Sequence, residues 1–297
     1  PFMPRKPGEE AYAVAFAVPM AAKGLSFIAR ETYDTGRNKY DRPLSGRFDE
    51  GDAIAILDNV LIPWETVFVA GDIRAYNGMV AAFPGHVTLQ AVIRGTEKLR
   101  FMTGLACKAA TLSGRNLMPR YQEILGELVG YVEIAEGMIV ASANETLHRI
   151  AANAKKNGVS IGDTGAMDAA QGVPPTQRYA GTAAMRAFFT YVNTKVCDVI
   201  RRITSSGFVM TPTKADFNDS EISGALETVL AGPGIEAREK VRIQKLAWDA
   251  VATEFGGRQQ HYEIFFAGDP YLMRASQYHT QERSRCEALV DRLLAEY

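Results

Sequence analysis

The sequence contains few of the residues that build disulfides and metal sites. Among its 297 residues are three cysteines, four histidines and two tryptophans. The cysteines, Cys107, Cys197 and Cys286, lie far apart and form no CxxC pair, which indicates neither a disulfide framework nor a cysteine metal site. Their apolar neighbours are typical of helices, so we expect three buried free thiols in a reducing compartment.

The net charge is small and long apolar runs are absent from the sequence. The formal net charge is −1 at pH 7, and the absence of a basic excess or an acidic tail argues against a nucleic-acid partner. No apolar run approaches the roughly 18 residues that a membrane helix needs, and the N-terminus lacks a signal-peptide pattern. We therefore predict a cytoplasmic protein without a membrane partner.

Several common cofactor and catalytic motifs are missing as well. The sequence contains no GxGxxG fingerprint, no Walker loop and no GxSxG nucleophile elbow. His148 and His279 stand in charged helical segments without a partner at metal-ligand spacing. We expect no metal, and a flavin would have to bind without a dinucleotide-binding fold.

What is present centres on the stretch 48–70, FDEGDAIAILDNVLIPWETVFVA. Residues 53–62 are nearly all apolar, and they are interrupted by Asp58 and Asn59, which favour turns. Two short strands around a tight corner are therefore predicted.

The stretch also marks a change of pattern along the chain. Upstream, residues 11–18 and 25–30 show the composition of sheet strands. From Asp72 onward the apolar spacing becomes helical. We predict two domains, the C-terminal part of a β-domain at 1–70 and a helical bundle at 71–297.

Helical segments dominate the second domain. Apolar residues recur at helical spacing, and glycine and proline separate the segments. The predicted helices are 72–82, 86–112, 119–154, 176–205, a short helix ending at Leu230, 236–255 and 271–296. Long amphipathic helices with modest connections are typical of a bundle. The predicted class is α+β, with part of a small β-domain followed by a large α-helical bundle.

The first candidate site is the segment 256–270, GGRQQHYEIFFAGDP, which we predict to connect the last two long helices. Arg258 and His261 offer donors, and the glycine in the turn at 267–270 would let a flat ligand approach the main chain. Aromatic residues beside this turn could hold a flavin edge. On spacing alone, a simple kink between two bundle helices is the favoured explanation.

The second candidate site is the segment 83–94, at the start of a long helix. His86, Thr88 and Gln90 are its polar residues, and an imidazole there could serve as a general base. A helix cap or an exposed histidine explains His86 equally well.

Two further polar stretches could contact a phosphate. One is the polar loop 33–46, whose basic residues are Arg37, Lys39 and Arg42, although a solvated loop explains them more simply. The other is the stretch 204–208, TSSGF, in which Gly207 is also an ordinary helix stop.

Three segments together resemble a known family. They are YAVAFAVP at 12–19, LDNVLIPWETVFVAGD at 57–72 and GGRQQHYEIFFAGDP at 256–270. They resemble the oxygenase component of the two-component, reduced-flavin-dependent phenol hydroxylases, the 4-hydroxyphenylacetate 3-monooxygenase family. With gaps, the likeness extends from about Tyr12 to Met273. It implies an acyl-CoA dehydrogenase-like fold, and that the sequence corresponds to the C-terminal portion of a longer protein.

The resemblance also implies a function. Members of the family hydroxylate a phenol ortho to its hydroxyl group with reduced FAD and O₂, so we expect a phenolic substrate, a flavin reductase partner and a homotetramer. A base is expected in the segment 83–94, with His86 as the candidate. The expected FAD contacts are Ala267, Gly268, Asp269 and Pro270.

Other functions were weighed against this one. The 4-hydroxybutyryl-CoA dehydratases resemble the same family, but they use a histidine and a nearby cysteine here as iron–sulfur ligands. This sequence has no cysteine before Cys107, which argues against a cluster enzyme. Two alternatives stay open: a non-catalytic oligomerisation portion of such a hydroxylase, and an acyl-CoA dehydrogenase-like oxidoreductase.

Overall fold

The structure is a computed structural model, and it describes residues 4–82, 84–156, 182–232, 234–266, 269–279 and 281–296. These residues fall into two compact units. The sheet unit contains the described residues within 1–35, 48–87 and 145–179, and the helical unit contains those within 36–47, 88–144 and 180–297.

The sheet unit contains two antiparallel sheets of two strands each. Strand β1, Val14–Phe16, pairs with β4, Val67–Ala70. Strand β2, Leu25–Ala29, pairs with β3, Ala53–Leu57, in a regular register that sets Leu25 opposite Leu57. The strands at 25–30 and 53–57 are close to those predicted.

The corner at Asp58 and Asn59 differs from the prediction. The Asp58 N–H donates to the Gly24 carbonyl at 2.9 Å, which closes the end of the β2–β3 ladder, and Asn59 turns the chain with a φ of 51°. Residues 60–63 form no strand, and Trp64–Thr66 is a 3₁₀ turn. The second predicted strand is wrong because the chain leaves the ladder at this turn instead of folding back along it.

The first strand is shorter than predicted. Glu10–Tyr12 forms a 3₁₀ turn, so Val14–Phe16 is the paired part of the predicted strand 11–18. Ala13, between them, is buried in a small apolar cluster with Val69 and Tyr76.

Helices make up most of the remaining described chain. They are α1 (Ser45–Phe48), α2 (Ile73–Ala82), α3 (Pro84–Leu112), α4 (Pro119–Lys156), α5 (Thr182–Thr204), α6 (Ser223–Leu230), α7 (Ala237–Val251), α8 (Glu254–Phe265), α9 (Pro270–Tyr278) and α10 (Gln281–Leu294). The predicted α+β composition, small antiparallel sheets with a mostly helical remainder, is confirmed. No helix among the described residues is long and apolar enough to cross a membrane.

Three helix boundaries differ from the prediction. Helix α3 begins at Pro84, because a proline in the first helical position needs no N–H partner. The predicted helix 236–255 ends at Val251, where α7 gives way to α8. The predicted helix 271–296 is two helices, so His279 lies in the turn between them and not inside the last helix.

A large apolar cluster holds the helical unit together. It combines buried side chains of α3, α4, α5 and α7, and those with almost no exposed surface include Val92, Leu128, Met185, Val192, Val196, Ile200, Ile203 and Val251. Full burial of one such side chain contributes about 1.5–3 kcal/mol. The four helices therefore form a unit with its own core.

The cysteines occupy three different environments. Cys197 is buried, Cys107 is half-buried and Cys286 is exposed. The expectation of three buried thiols is wrong for Cys286, which lies on the charged helix α10. Burial raises the pKa of the Cys197 thiol to about 11, so this thiol stays protonated at neutral pH.

The loop 36–47 is fixed by buried polar contacts. Asp249 is 0% exposed, and its Oδ2 accepts hydrogen bonds from the Leu44 N–H at 2.7 Å and the Ser45 N–H at 2.8 Å. Asp41, also buried, accepts from the Lys214 N–H at 3.1 Å. The end of the loop is thus anchored to the helical unit. Arg37 and Lys39 are exposed, as the simpler explanation of a solvated loop expects.

Candidate functional site

Helix α8 carries most of the first candidate segment. Its first turn is capped by Thr253, whose hydroxyl accepts a hydrogen bond from the Gly256 N–H at 3.2 Å. A Cβ at Gly256 would lie 2.9 Å from the Ala250 carbonyl, so glycine lets α8 begin directly against the end of α7. The segment 256–270 was expected to connect two helices, but its residues 256–265 are themselves helical, and close helix packing explains Gly256.

Glu263 is a buried acidic residue of α8, and 6% of the surface of Glu263 is exposed. Its Oε1 accepts a hydrogen bond from the Arg94 guanidinium and a second one from Lys98 Nζ at 3.0 Å. Lys98 also donates to Gln259 Oε1 at 3.1 Å. Arg94 ends the second candidate segment, 83–94, so this ion pair joins the two candidate segments.

Burial and charge act in opposite directions on this cluster. Burial tends to raise the pKa of Glu263, but hydrogen bonds and attraction from Arg94 and Lys98 hold that pKa below its usual range. For Lys98, burial is the stronger effect and lowers its pKa despite the attraction of Glu263. Glu263 therefore stays ionised at neutral pH, whereas Lys98 gives up its proton more readily than an exposed lysine.

Aromatic rings cover the Arg94 guanidinium. Its Cζ lies 4.9 Å from the Tyr262 ring centre and 5.1 Å from the Phe266 ring centre. These two rings are stacked, with centroids 4.7 Å apart and planes 22° apart. Cation–π contacts of this kind contribute about 0.5–2 kcal/mol. They stabilise the end of α8.

A groove of about 480 Å³ lies beside α8. Arg201, Gln260 and His261 are polar residues of its lining, and the first two donate hydrogen bonds to the Val251 carbonyl. Gly257 also lines the groove, and a Cβ added there would meet nothing within 4 Å. A groove of this size with a few placed donors suits a small molecule.

The turn expected to contact the cofactor is described in part. Ala267 and Gly268 lie outside the described residues. Asp269 Oδ1 accepts hydrogen bonds from the N–H groups of the two residues after Pro270, at 2.7 and 3.1 Å. Asp269 thus caps α9, and Pro270 is its first residue. One carboxylate oxygen of Asp269 is therefore engaged in a structural role.

His86 belongs to the first turn of α3. Its side chain and that of Thr88 lie outside the described part of the chain, while Gln90 is exposed. His86 stays a predicted base at the beginning of a long helix.

The stretch 204–208 is the end of a helix. The Thr204 hydroxyl donates to the Ile200 carbonyl at 2.7 Å inside α5. Ser205 adopts a φ of 52°, and Phe208 is buried against Trp248 with ring centroids 4.9 Å apart. These contacts favour the helix-stop explanation over a phosphate site.

The cluster of Arg94, Lys98 and Glu263 was not predicted as such. No local signal marks it, because the neighbours of Arg94 at helical spacing, Gln90, Glu97 and Lys98, are polar as on an exposed helix face. Among the described residues, no group of three or more His, Cys, Asp or Glu side chains could hold a metal ion.

Solved structures establish the class of fold. The oxygenase component of 4-hydroxyphenylacetate 3-monooxygenase, complexed with FAD and 4-hydroxyphenylacetate, matches with a TM-score of 0.76 at 29% identity, over 96% of this chain and 57% of the other. A 4-hydroxybutyryl-CoA dehydratase from N. maritimus matches with a TM-score of 0.76 at 19% identity, over 99% of this chain and 55% of the other. The second likeness shows the fold alone. The predicted acyl-CoA dehydrogenase-like fold is confirmed.

Family comparisons then identify the family. The model described as 4-hydroxyphenylacetate 3-hydroxylase N terminal matches residues 1–69, and the corresponding C-terminal model matches residues 77–295. The 4-hydroxyphenylacetate 3-monooxygenase oxygenase component of Geobacillus sp. (strain PA-9) is 31% identical over 296 residues, covering 97% of this chain and 54% of the relative. The chain belongs to the 4-hydroxyphenylacetate 3-hydroxylase family, as the resemblance predicted. It spans about half the length of the curated relatives it matches.

Proposed function

We propose that the chain works within the oxygenase component of a two-component monooxygenase that hydroxylates a phenol ortho to its hydroxyl group. When bound, reduced FAD would react with O₂ and so supply the activated oxygen for the hydroxylation. A separate flavin reductase would deliver the reduced FAD. Membership of the 4-hydroxyphenylacetate 3-hydroxylase family supports this proposal.

One contact carries the proposal for this chain. The Arg94–Glu263 ion pair connects the segment 83–94, where a base is expected, with the segment 256–270, where flavin contacts are expected. The ion pair fixes the end of α8, which directly precedes the proposed flavin contacts in the sequence. Such positioning matters, because a misplacement of about 1 Å can cost on the order of a hundredfold in rate.

The described residues near this turn fit a flavin. The groove beside α8 offers donors at Arg201 and Gln260. Next to it His261 stacks with Phe265, with ring centroids 5.9 Å apart and planes 18° apart. A flat ring system with a polar rim needs apolar faces and a few donors. We propose that FAD is contacted by Ala267, Gly268, Asp269 and Pro270. For Asp269 the proposed contact is through the main chain, since its carboxylate caps α9.

The proposed base is His86. An imidazole titrates near neutral pH and can accept the proton of a phenol. Its part would be to hold that proton while the ring is oriented for oxygen transfer. Exclusion of water from the site would protect the reactive oxygen.

We also propose a homo-oligomer, a tetramer by resemblance. Helix α4 exposes Val129, Ile134 and Val140 to 42, 50 and 60%. At Gly126 and Gly137 an added Cβ would meet open space. An apolar face with small residues suits cover by another subunit. Light scattering that gives a monomer mass at micromolar concentration would contradict this.

A non-catalytic oligomerisation role is the second candidate. The last two helices expose many large apolar side chains, namely Tyr271, Leu272, Tyr278, Leu289, Val290, Leu293 and Leu294.

A division into a β-part at 1–70 and a bundle at 71–297 stays part of the proposal, and the extents of the two family models support it. A cytoplasmic location stays a prediction from composition.

The function is tested on this chain and on any longer product of its gene. Chemically reduced FAD is titrated anaerobically into each, a panel of phenols that includes 4-hydroxyphenylacetate is then added with O₂, and the hydroxylated products are measured by mass spectrometry. Binding with ortho hydroxylation by either protein is the expected result. No reduced-FAD binding by either protein would overturn the proposal, and binding without hydroxylation would favour the oligomerisation role.

Gly268→Val tests the cofactor turn. If FAD passes close to the main chain, the new side chain should weaken reduced-FAD affinity about tenfold or more, a change of about 1.4 kcal/mol. Gly104→Val is the matched control, because its Cβ would meet nothing within 4 Å and it lies outside the proposed flavin and subunit contacts. A lowered melting temperature with unchanged affinity would reject the cofactor role of this turn.

A further inference from the structure

A second groove, of about 270 Å³, lies inside the helical unit, where the loop 36–47 meets α3 and α7. Its charged lining consists of four cations and one carboxylate, namely Lys39, Arg47, Lys108, Arg242 and Glu239. The groove is therefore positive by three charges, although the whole chain carries −1. None of its lining residues belongs to the candidate segments 83–94 or 256–270.

Two of the four cations are already engaged. Arg242 donates to Glu239 Oε2 at 2.8 Å, and Arg47 donates to the Pro43 carbonyl within the loop. For Lys39 and Lys108, no ion pair occurs within the part of the chain that the structure describes. Like charges gathered around one groove repel each other, so a bound anion would be attracted there.

The groove is held in shape before any ligand arrives. The Tyr40 hydroxyl donates to the Arg238 carbonyl at 3.0 Å, and the Tyr40 ring packs edge-on against Phe217 at 6.4 Å between centroids. Together with the contacts of Asp249 to the loop, these interactions fix the main chain between Lys39 and Arg47. A bound anion therefore has to order side chains only, which keeps the entropy cost of binding low.

The apolar residues Pro43, Ile243 and Leu246 also line the groove. They are half-buried, whereas the charged lining residues are exposed, and we call these three residues the floor of the groove. Three net positive charges match a multiply charged anion better than a single carboxylate, and guanidinium and ammonium groups are the usual phosphate ligands. We propose that this groove binds a phosphate-bearing small molecule, with the phosphate between Lys39 and Lys108 and the apolar part of the ligand on the floor.

In the test, sodium pyrophosphate is titrated into the chain at constant ionic strength, and its binding is measured by isothermal titration calorimetry. We expect one site in the wild type and at least about tenfold weaker binding in Lys39→Glu/Lys108→Glu, where two attractive charges become repulsive. The matched control is Lys6→Glu/Lys23→Glu, which makes the same charge change at exposed positions of the sheet unit. No wild-type binding, or equal loss in both variants, would overturn the proposal.

Competition identifies the source of the phosphate. If FAD displaces pyrophosphate and riboflavin, which lacks phosphate, does not, the ligand is the diphosphate of the cofactor. If FAD does not displace it, the ligand is a free phosphate ester, and the groove is still a phosphate site. Equal displacement by acetate would overturn the proposal. Because no hydroxylase activity is measured, failure here is distinct from failure of the proposed function.

Discussion

The two units bury their apolar residues to very different extents. In the helical unit, Leu128 and Ile200 are 0% exposed and belong to a core shared by four helices. In the sheet unit, all five residues of β3 are exposed, as are four of the five residues of β2. Similar apolar sequences thus have different surroundings, because a helix bundle supplies its own packing partners and a two-stranded sheet does not.

Different interactions stabilise the two units. The helical unit depends on side-chain packing and on a few buried ion pairs. The sheet unit has little buried apolar surface, and polar contacts hold its chain. Arg30 donates to Asp49 at 2.7 Å and to Asp52 at 2.8 Å, and it lies 4.1 Å from the Tyr33 ring centre.

The largest expected effect is that of Leu128→Ala in the core of the helical unit. Loss of this buried side chain leaves a cavity, and the free energy of unfolding should fall by about 2–5 kcal/mol. The matched variant in the sheet unit is Leu61→Ala, where the side chain is 86% exposed. Its effect should stay within about 0.5 kcal/mol. Urea denaturation measures both, and comparable losses would break the contrast between the units.

The second-largest loss of stability is expected for Glu263→Gln. The change leaves Arg94 and Lys98 beside a neutral amide, and breaking a buried ion pair from one side costs about 3–5 kcal/mol. Because both cations keep some contact with water, we expect about 3 kcal/mol. The control is Glu97→Gln, at an exposed pair with Arg100, which should cost less than about 1 kcal/mol.

The same variant has a defined pH dependence. The pKa of Glu263 in the folded chain lies below the ordinary glutamate value of 4.5. Its stabilisation is therefore fully present above pH 4.5 and is lost as the pH falls through the folded-state pKa. The stability difference between the wild type and Glu263→Gln should narrow as the pH falls below 4.5. A constant difference across this range would contradict the assignment of Glu263 as an ionised partner.

The contrast between the units also decides how much of the fold could be predicted. Helices α3 and α4 were predicted closely, because Gly114 and Pro119 mark their boundaries and their apolar spacing is long. The corner at Asp58 and Asn59 was recognised as a turn. Whether the chain then folds back depends on which strand is available for pairing, and local sequence does not encode that.

Prediction of the candidate site from sequence is limited in the same way, because local sequence does not encode tertiary contacts. Both segments were selected from the sequence, yet Arg94 and Glu263 are 169 residues apart, and no local pattern pairs them. Gly256 resembles a loop residue until the end of α7 is placed against it. Local signals therefore found the segments, and tertiary packing determined their contact.

A smaller effect is expected for Asp49→Asn in the sheet unit. Asp49 Oδ2 accepts hydrogen bonds from the Tyr33 N–H at 2.7 Å and the Thr32 hydroxyl at 3.0 Å. The amide keeps the shape but loses one acceptor oxygen and the charge that pairs with Arg30, so we expect a loss of about 1–2 kcal/mol at pH 7. Asp52→Asn, whose side chain is 51% exposed, should cost less.

Asp49 also gives the sheet unit a pH dependence. Burial tends to raise its pKa, but hydrogen bonds from Arg30, Tyr33 and Thr32 lower it from 3.8 to about 2. The stabilisation by Asp49 is present above pH 3.8 and is lost as the pH falls towards 2. Acid titration followed by NMR of the Tyr33 amide, which donates to Asp49, would detect this, and a transition unchanged in Asp49→Asn would count against it.

The smallest effect on stability is expected for Ile54→Thr/Ile56→Thr. The two side chains lie on one face of β3, because they are two residues apart, and they are 66% and 42% exposed. Threonine keeps the branched shape that strands favour, so the free energy of unfolding should change by less than about 0.5 kcal/mol. The exposed apolar surface should become smaller, which would appear as weaker binding of the dye ANS and as less self-association in light scattering. Ile200→Thr, at a fully buried position, is the control and should be strongly destabilising. If Ile54→Thr/Ile56→Thr instead lowered stability by more than about 2 kcal/mol, β3 would contribute a packed core of its own, and the contrast between the two units would not hold.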